Sequence, residues 1–302
     1  MKRGGGKKQC GEQSSGHETA MISFCAALRN HEPDPRVTAR RMKYLLAFLF
    51  AVSLHAQVPV GFSEVTLDID GVKRQTIIYT PKTSKEKPTP VVFVFHGHGG
   101  NSRNTVKSFA MHKHWPEAIS VYPQGLNTPG RLTDPEGKKP GWQSGPGAMG
   151  DRDLKFFDAM LAKLKAEHQV DAKRIFSTGH SNGGGFTYLL WMMRPEVFTA
   201  MAPSAAAARA SQGNLKPKPA MHIGGTADPL VKFEWQQVMI DLVKQTNGCA
   251  AEGTAWAEHC TLYPSATGTP FVAYIHPGTH KFPDEAPALI ARFFKEQAAA
   301  VK

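Results

Sequence analysis

The spacing of apolar residues changes character along the chain. Ser63 to Asp68 and Lys73 to Tyr79 alternate polar and apolar positions on either side of Gly71, which predicts an antiparallel hairpin with one face in water. Val91-Val92-Phe93-Val94-Phe95 then runs without a polar break, the pattern of a strand covered on both faces. Similar runs follow at Ile119 to Tyr122, Ile175 to Thr178, Phe198 to Ala202, Ala220 to Ile223 and Phe271 to Ile275. Between them the period lengthens. Leu154, Phe157, Met160, Leu161 and Leu164 recur at helical spacing behind Asp151, a predicted N-cap. Phe186 to Met193, Val238 with Leu242 and Val243, and Leu289, Ile290, Phe293 and Phe294 predict three more helices. Strands alternating with helices predict an α/β domain with a mostly parallel sheet and helices on both faces. No internal repeat interrupts this order.

Two stretches break the rhythm. Gln124 to Gly150 holds eleven Gly or Pro among 27 residues, too irregular for a regular element and placed after a strand end, where open α/β sheets bind ligands. Only seventeen residues separate Ala202 from Ala220, too few for a large helical lid. The site is therefore expected to be open, as suits a bulky or polymeric substrate.

The 302 residues, 41% hydrophobic, fit one large domain plus a dispensable end. Arg40-Arg41-Met42-Lys43 precedes the eleven-residue apolar run Tyr44 to Leu54, which ends at Leu54-His55-Ala56. Basic cluster, short apolar run and small residue at the cut point predict a secretory signal peptide over 42–56, too short to span a bilayer. Residues 1–41 are then a disordered leader or lie upstream of a true start at Met42, and 57–302 is the mature domain, secreted or periplasmic. No cysteine follows the apolar run, so no lipid anchor is expected. The whole chain carries +11, but residues 57–302 carry only +6, from 27 Lys/Arg and 21 Asp/Glu. That domain has no basic run of five or more, and no nucleic-acid partner is expected. Of four cysteines, Cys10 and Cys25 fall in the leader. Cys249 and Cys260 remain as a disulfide candidate in an exported domain, contributing about 3 kcal/mol through loop closure. Neither has zinc-site spacing.

The densest chemical signal is Gly179-His180-Ser181-Asn182-Gly183, between the strand pattern at Arg174 to Thr178 and the helix pattern from Phe186. Strand, G-x-S-x-G, helix is the context of a nucleophile elbow. The turn holds its central residue in strained backbone geometry and needs glycine where strand and helix pass closely. Attack by such a serine needs a base and an orienting acid. His222-Ile223-Gly224-Gly225-Thr226-Ala227-Asp228 offers an acid past a buried strand, and His276-Pro277-Gly278-Thr279-His280 a histidine past the last one. Ser181 is thus the candidate nucleophile, His280 the general acid/base and Asp228 its orienter. His276, nearer the strand end, reads as structural; Asp151 and Asp153 read as cap and first-turn charges. His96-Gly97-His98-Gly99-Gly100 follows the first buried strand in the position of an oxyanion loop. The candidate hole is the backbone N–H of His98 with that of Asn182. A metal at His96 and His98 is disfavoured, because residues two apart in an extended chain point to opposite sides. Trp142, in the Gly/Pro-rich stretch, is a candidate wall of the substrate cleft.

Taken together, His96-Gly97, Gly179 to Gly184, Gly225 to Asp228 and Gly278 to Pro283 resemble the secreted polyhydroxybutyrate depolymerase and feruloyl esterase family of α/β-hydrolases. The similarity spans roughly Phe62 to Phe294 and includes Asp151-Arg152-Asp153-Leu154 and Asn247-Gly248-Cys249. It implies an α/β-hydrolase fold without a large lid domain, hydrolysis of carboxylic esters through an acyl-enzyme, no cofactor, and export. The chain departs from the family at Phe282, where tryptophan is frequent, and at His98, where cysteine is frequent. The expected substrates are feruloyl or acetyl esters of polysaccharide, or hydroxyalkanoate esters. A serine peptidase of the same fold and a non-catalytic binding protein on a hydrolase scaffold are the alternatives.

Overall fold

The structure is a computed structural model that describes residues 61–208 and 215–301. The proposed leader and signal peptide, with Cys10 and Cys25, lie outside the described residues. Strands β1 (Phe62–Ile69), β2 (Val72–Tyr79), β3 (Thr89–Phe95), β4 (Ile119–Pro123), β7 (Val170–His180), β8 (Ala200–Ser204), β9 (Ala220–Gly225), β10 (Thr254–Ala257), β11 (Cys260–Tyr263) and β12 (Phe271–His276) form one sheet. Its order is β1-β2-β4-β3-β7-β8-β9-β12-β11-β10. The six strands from β4 to β12 pair in parallel. Antiparallel hairpins close both edges. Two short strands, β5 (Leu126–Asn127) and β6 (Pro140–Gly141), pair with each other inside the Gly/Pro-rich stretch.

Alternation along the strands sends side chains to two cores. Val91, Phe93 and Phe95 face one cluster with residues of α3 (Arg152–Glu167), α4 (Asn182–Met193) and α5 (Phe233–Thr246). Val92 and Val94 face the other with α1 (Ser102–Phe109), α2 (Met111–His114) and α6 (Ala286–Ala300). Both faces of the central strands are apolar because both are covered by helices, which is why these strands read as unbroken runs. Among the described residues no helix lies between β8 and β9.

The same parity corrects the disulfide. Cys249 packs against the first cluster and Cys260 lies in the second, so the sheet separates them. Both are free thiols. A bridge needs Cβ atoms within about 4.5 Å on a common side, a geometry two opposite faces do not offer. The predicted strand at Phe198 is also displaced: the ladder begins at Ala200. The edge strands β10 and β11 and the helix α1 have no counterpart in the sequence reading.

Candidate active site

The site is assembled where β3, β7, β9 and β12 end. At the tip of β7 the chain reverses directly into α4, and Ser181 at the junction has φ 57° and ψ −119°. A side chain in this region is strained, so the fold must hold it there. It does so through hydrogen bonds from Ser181 N–H to the Ser204 carbonyl (2.8 Å) and from Gly185 N–H to the Ser181 carbonyl (2.9 Å). The crossing leaves no space beside it. A Cβ on Gly183 would collide with the Phe95 carbonyl oxygen and stand 2.6 Å from that of His96. Glycine is thus required by contact rather than by its dihedral angles. The first turn of α4 begins at Asn182, so its free N–H groups and positive partial charge face the space above the serine.

Ser181, His280 and Asp228, 99 and 52 residues apart, meet. His280 Nε2 lies 2.8 Å from Ser181 Oγ, and His280 Nδ1 lies 2.7 Å from Asp228 Oδ2. The loops that deliver the acid and the histidine are laced together: Thr226 N–H donates to the His276 carbonyl and Ala227 N–H to that of Gly278. The Asp228 side chain is fully enclosed, and its Oδ1 accepts from Leu230 N–H (2.8 Å) and Val231 N–H (2.9 Å). His276 stays at the strand end, where its Nδ1 accepts from Gly278 N–H. His180, beside the serine, was not singled out by its sequence position. Burial, assisted by the neighbouring His280, pushes its imidazole down to about 4, so the ring is neutral. Its Nε2–H donates to the His280 carbonyl (2.8 Å), leaving Nδ1 to accept from Ser204 Oγ (3.0 Å). His180 therefore fixes the backbone of the histidine loop to the elbow.

The two N–H groups considered for an oxyanion hole, those of His98 and Asn182, have no protein acceptor among the described residues. Gly97 brings this loop against the serine: its ideal Cβ position is 3.5 Å from Ser181 Cβ. Two N–H donors beside a hydrogen-bonded serine–histidine pair can stabilise negative charge on an oxygen that forms within reach of the serine. Around it opens a cleft of about 760 Å³. One wall is apolar, with Leu230, Val231, Trp235 and Val238; the other, from the Gly/Pro-rich stretch, carries Arg131 and Thr133.

Residues 141–212 match the prolyl oligopeptidase family, a segment that contains the elbow. A probable feruloyl esterase C of Aspergillus flavus is 26% identical over 207 residues, covering 65% of this chain and 72% of the relative. Among solved structures, an acetyl xylan esterase from Aspergillus awamori superposes with a TM-score of 0.59 at 14% identity, over 78% of this chain and 98% of that one. A thermostable esterase superposes with a TM-score of 0.54 at 17% identity, over 80% of this chain and 62% of that one. The chain has the α/β-hydrolase fold and is similar to feruloyl esterases. It is a carboxylic ester hydrolase. Among the described residues no helix is long and apolar enough to cross a membrane.

In this esterase Trp142 does not line the cleft. It is 1% exposed, stacks on Phe186, meets Phe95 edge-on, and donates its indole N–H to the His96 carbonyl (2.9 Å). A large ring with one polar edge gains most from burial where that edge finds an acceptor, and the interior provides one. Its backbone is clasped by Asn182, whose Oδ1 accepts from Trp142 N–H and whose Nδ2 donates to the Trp142 carbonyl. The acids at the start of α3 are also more than cap charges. Asp151 accepts from Gln143 Nε2 and Gly147 N–H, and makes no side-chain cap to its own helix. Asp153 is buried in an ion pair with Arg74 (2.8 Å) and accepts from Gln143 N–H (2.8 Å). The His98 imidazole pairs with Asp134 (3.1 Å), which also accepts from Lys139 N–H. These side chains clip the irregular stretch to the scaffold at several points while its tip forms the cleft wall.

Proposed function

We propose that the chain is an exported serine esterase that cleaves hydroxycinnamoyl (feruloyl-type) esters of polysaccharide through an acyl-enzyme. The observation that carries this reading is the hydrogen-bonded series Ser181–His280–Asp228 at the floor of the cleft. Ser181 Oγ attacks the ester carbonyl while His280 Nε2 takes its proton. Asp228 holds the ring by its Nδ1–H and stabilises the imidazolium. The N–H groups of His98 and Asn182 receive the oxyanion. As the tetrahedral adduct collapses, His280 returns the proton to the leaving alcohol. Water then repeats the sequence on the acyl-serine and frees the acid. The N-terminal pattern supports export, with residues 42–56 as signal peptide and 57–302 as the mature domain.

The cleft argues for the acyl group. An acetyl group would occupy a small part of about 760 Å³, whereas an aromatic acid has Trp235, Leu230 and Val238 to lie against. The sugar then falls on the polar wall near Thr133. The named activity of the Aspergillus flavus relative, a probable feruloyl esterase C, supports the same choice. The test is a panel of methyl ferulate, acetylated xylan, a hydroxybutyrate oligomer and a matched peptide, each with the intact protein and with Ser181→Ala. The ferulate should give the highest kcat/KM, and the alanine variant should lose at least about 10⁴-fold. Peptide cleavage without ester cleavage would favour the peptidase reading that the match over 141–212 suggests. Unchanged turnover in Ser181→Ala would end the serine mechanism.

A further inference from the structure

A second line of polar side chains runs behind Asp228, away from the cleft, and the mechanism above does not use it. Asp228 Oδ2 receives His280 Nδ1 and, from the interior, Gln236 Nε2 at 3.2 Å. Gln236 lies on α5 and is fully buried. The same amide nitrogen donates to the Val231 carbonyl (2.6 Å), while Oε1 faces His222 Nε2 at 3.3 Å. On the other side of that ring, Nδ1 lies 2.8 Å from the Tyr188 hydroxyl. His222 and Tyr188 are also fully buried.

Only one proton arrangement satisfies every member. Burial pushes the His222 ring down to about 4 and raises the Tyr188 phenol, so the ring is neutral and the phenol keeps its proton. If Tyr188 O–H donates to Nδ1, then Nε2–H donates to Gln236 Oε1, and both amide protons point at Asp228 and Val231. Reversing the amide would set its oxygen 2.6 Å from the Val231 carbonyl and 3.2 Å from the Asp228 carboxylate, two acceptor-on-acceptor contacts in the interior.

We propose that Gln236 is a positioning residue for Asp228. Its amide orientation is set by the Val231 carbonyl and the Asp228 carboxylate on one side and by the Tyr188–His222 pair on the other, so that the oxygen facing His280 is held on the line of the imidazole. The inference rests on the esterase reading of the same site. The other titratable rings near the carboxylate are His280, His180 and His276, with His222 behind Gln236. Among the described residues no lysine or arginine donates a hydrogen bond to Asp228 in place of the amide.

Gln236→Glu keeps the shape, removes both amide donors and adds a carboxyl beside Asp228. A second negative charge there favours the imidazolium, so the acid limb of kcat/KM moves to higher pH. On an aryl ester, kcat should fall about 10- to 100-fold with KM within about twofold. Gln236→Met should lower kcat without that displacement of the limb. Tyr188→Phe keeps the packing and frees the His222 tautomer. It should lower kcat about threefold and move the low-field NMR signal of the proton between His280 and Asp228. Folding of each variant is checked by circular dichroism and thermal midpoint. Folded Gln236 variants with wild-type kcat and acid limb would overturn the proposal. So would an unmoved proton signal in Tyr188→Phe, which stands even if both Gln236 variants fail to fold. Failure of the underlying reading looks different: the unaltered protein would be inert on esters, or Ser181→Ala would be as active as the parent.

Discussion

Acidification between pH 6.5 and 4 turns two buried imidazoles, His180 and His222, against folding. In the unfolded chain each ring takes up a proton near its ordinary value of 6.5, whereas in the folded protein burial holds both at about 4. Below 6.5 the unfolded state therefore binds protons that the folded state refuses, and unfolding becomes easier as pH falls. The stability is complete above 6.5, declines through the window and levels off below about 4. At roughly 1.4 kcal/mol per pH unit, the gap is worth about 3 kcal/mol for each ring. Two rings give a steepest slope of about 3 kcal/mol per pH unit and a combined loss of about 7 kcal/mol, comparable to the whole stability of many domains. His96, His112, His114, His168 and His276 are lowered by burial as well and add in the same direction. Urea denaturation at half-unit pH steps, followed by tryptophan fluorescence, measures the slope. A stability that stays constant from pH 6.5 to 4.5 would show that the rings are not neutral and enclosed, and the proton arrangement around His180 and His222 would have to be abandoned.

Two further outcomes follow from the packing. Trp142→Ala removes a buried ring and its hydrogen bond to His96, and should cost about 3–5 kcal/mol by denaturant titration, with kcat falling because the loop after β3 loses its indole anchor. Non-reduced peptide mapping should recover Cys249 and Cys260 in separate peptides, and dithiothreitol should leave the thermal midpoint of residues 57–302 unchanged; a linked pair would contradict their placement on opposite faces of the sheet.

The sequence exposed those parts of the fold in which local pattern and tertiary role coincide. The central strands are legible because burial on both faces writes an unbroken apolar run. Ser181, Asp228 and His280 are legible because each follows such a run in a glycine-bearing turn, and the structure brings the three within hydrogen-bond reach. Other features depend on register and contact. Whether Trp142 points inward or outward cannot be read from a glycine- and proline-rich neighbourhood, since its partner His96 is 46 residues away. Arg74 and Asp153 are 79 residues apart and carry no local mark of pairing. Cys249 and Cys260 looked suitable by count, but sheet parity divides them. The four-residue strands β10 and β11 are partly exposed and too short to develop a clear period.

The way the stretch from Gln124 to Gly150 is tethered divides the burden of inheritance within one loop. Trp142, Gln143 and Asp134 face inward and hold it to the elbow, to α3 and to the loop after β3. Arg131, Leu132 and Thr133 face the cleft and are exposed, Leu132 to 46%. Changes at the second group can redraw the grip on the alcohol side of an ester while leaving the reacting atoms in register.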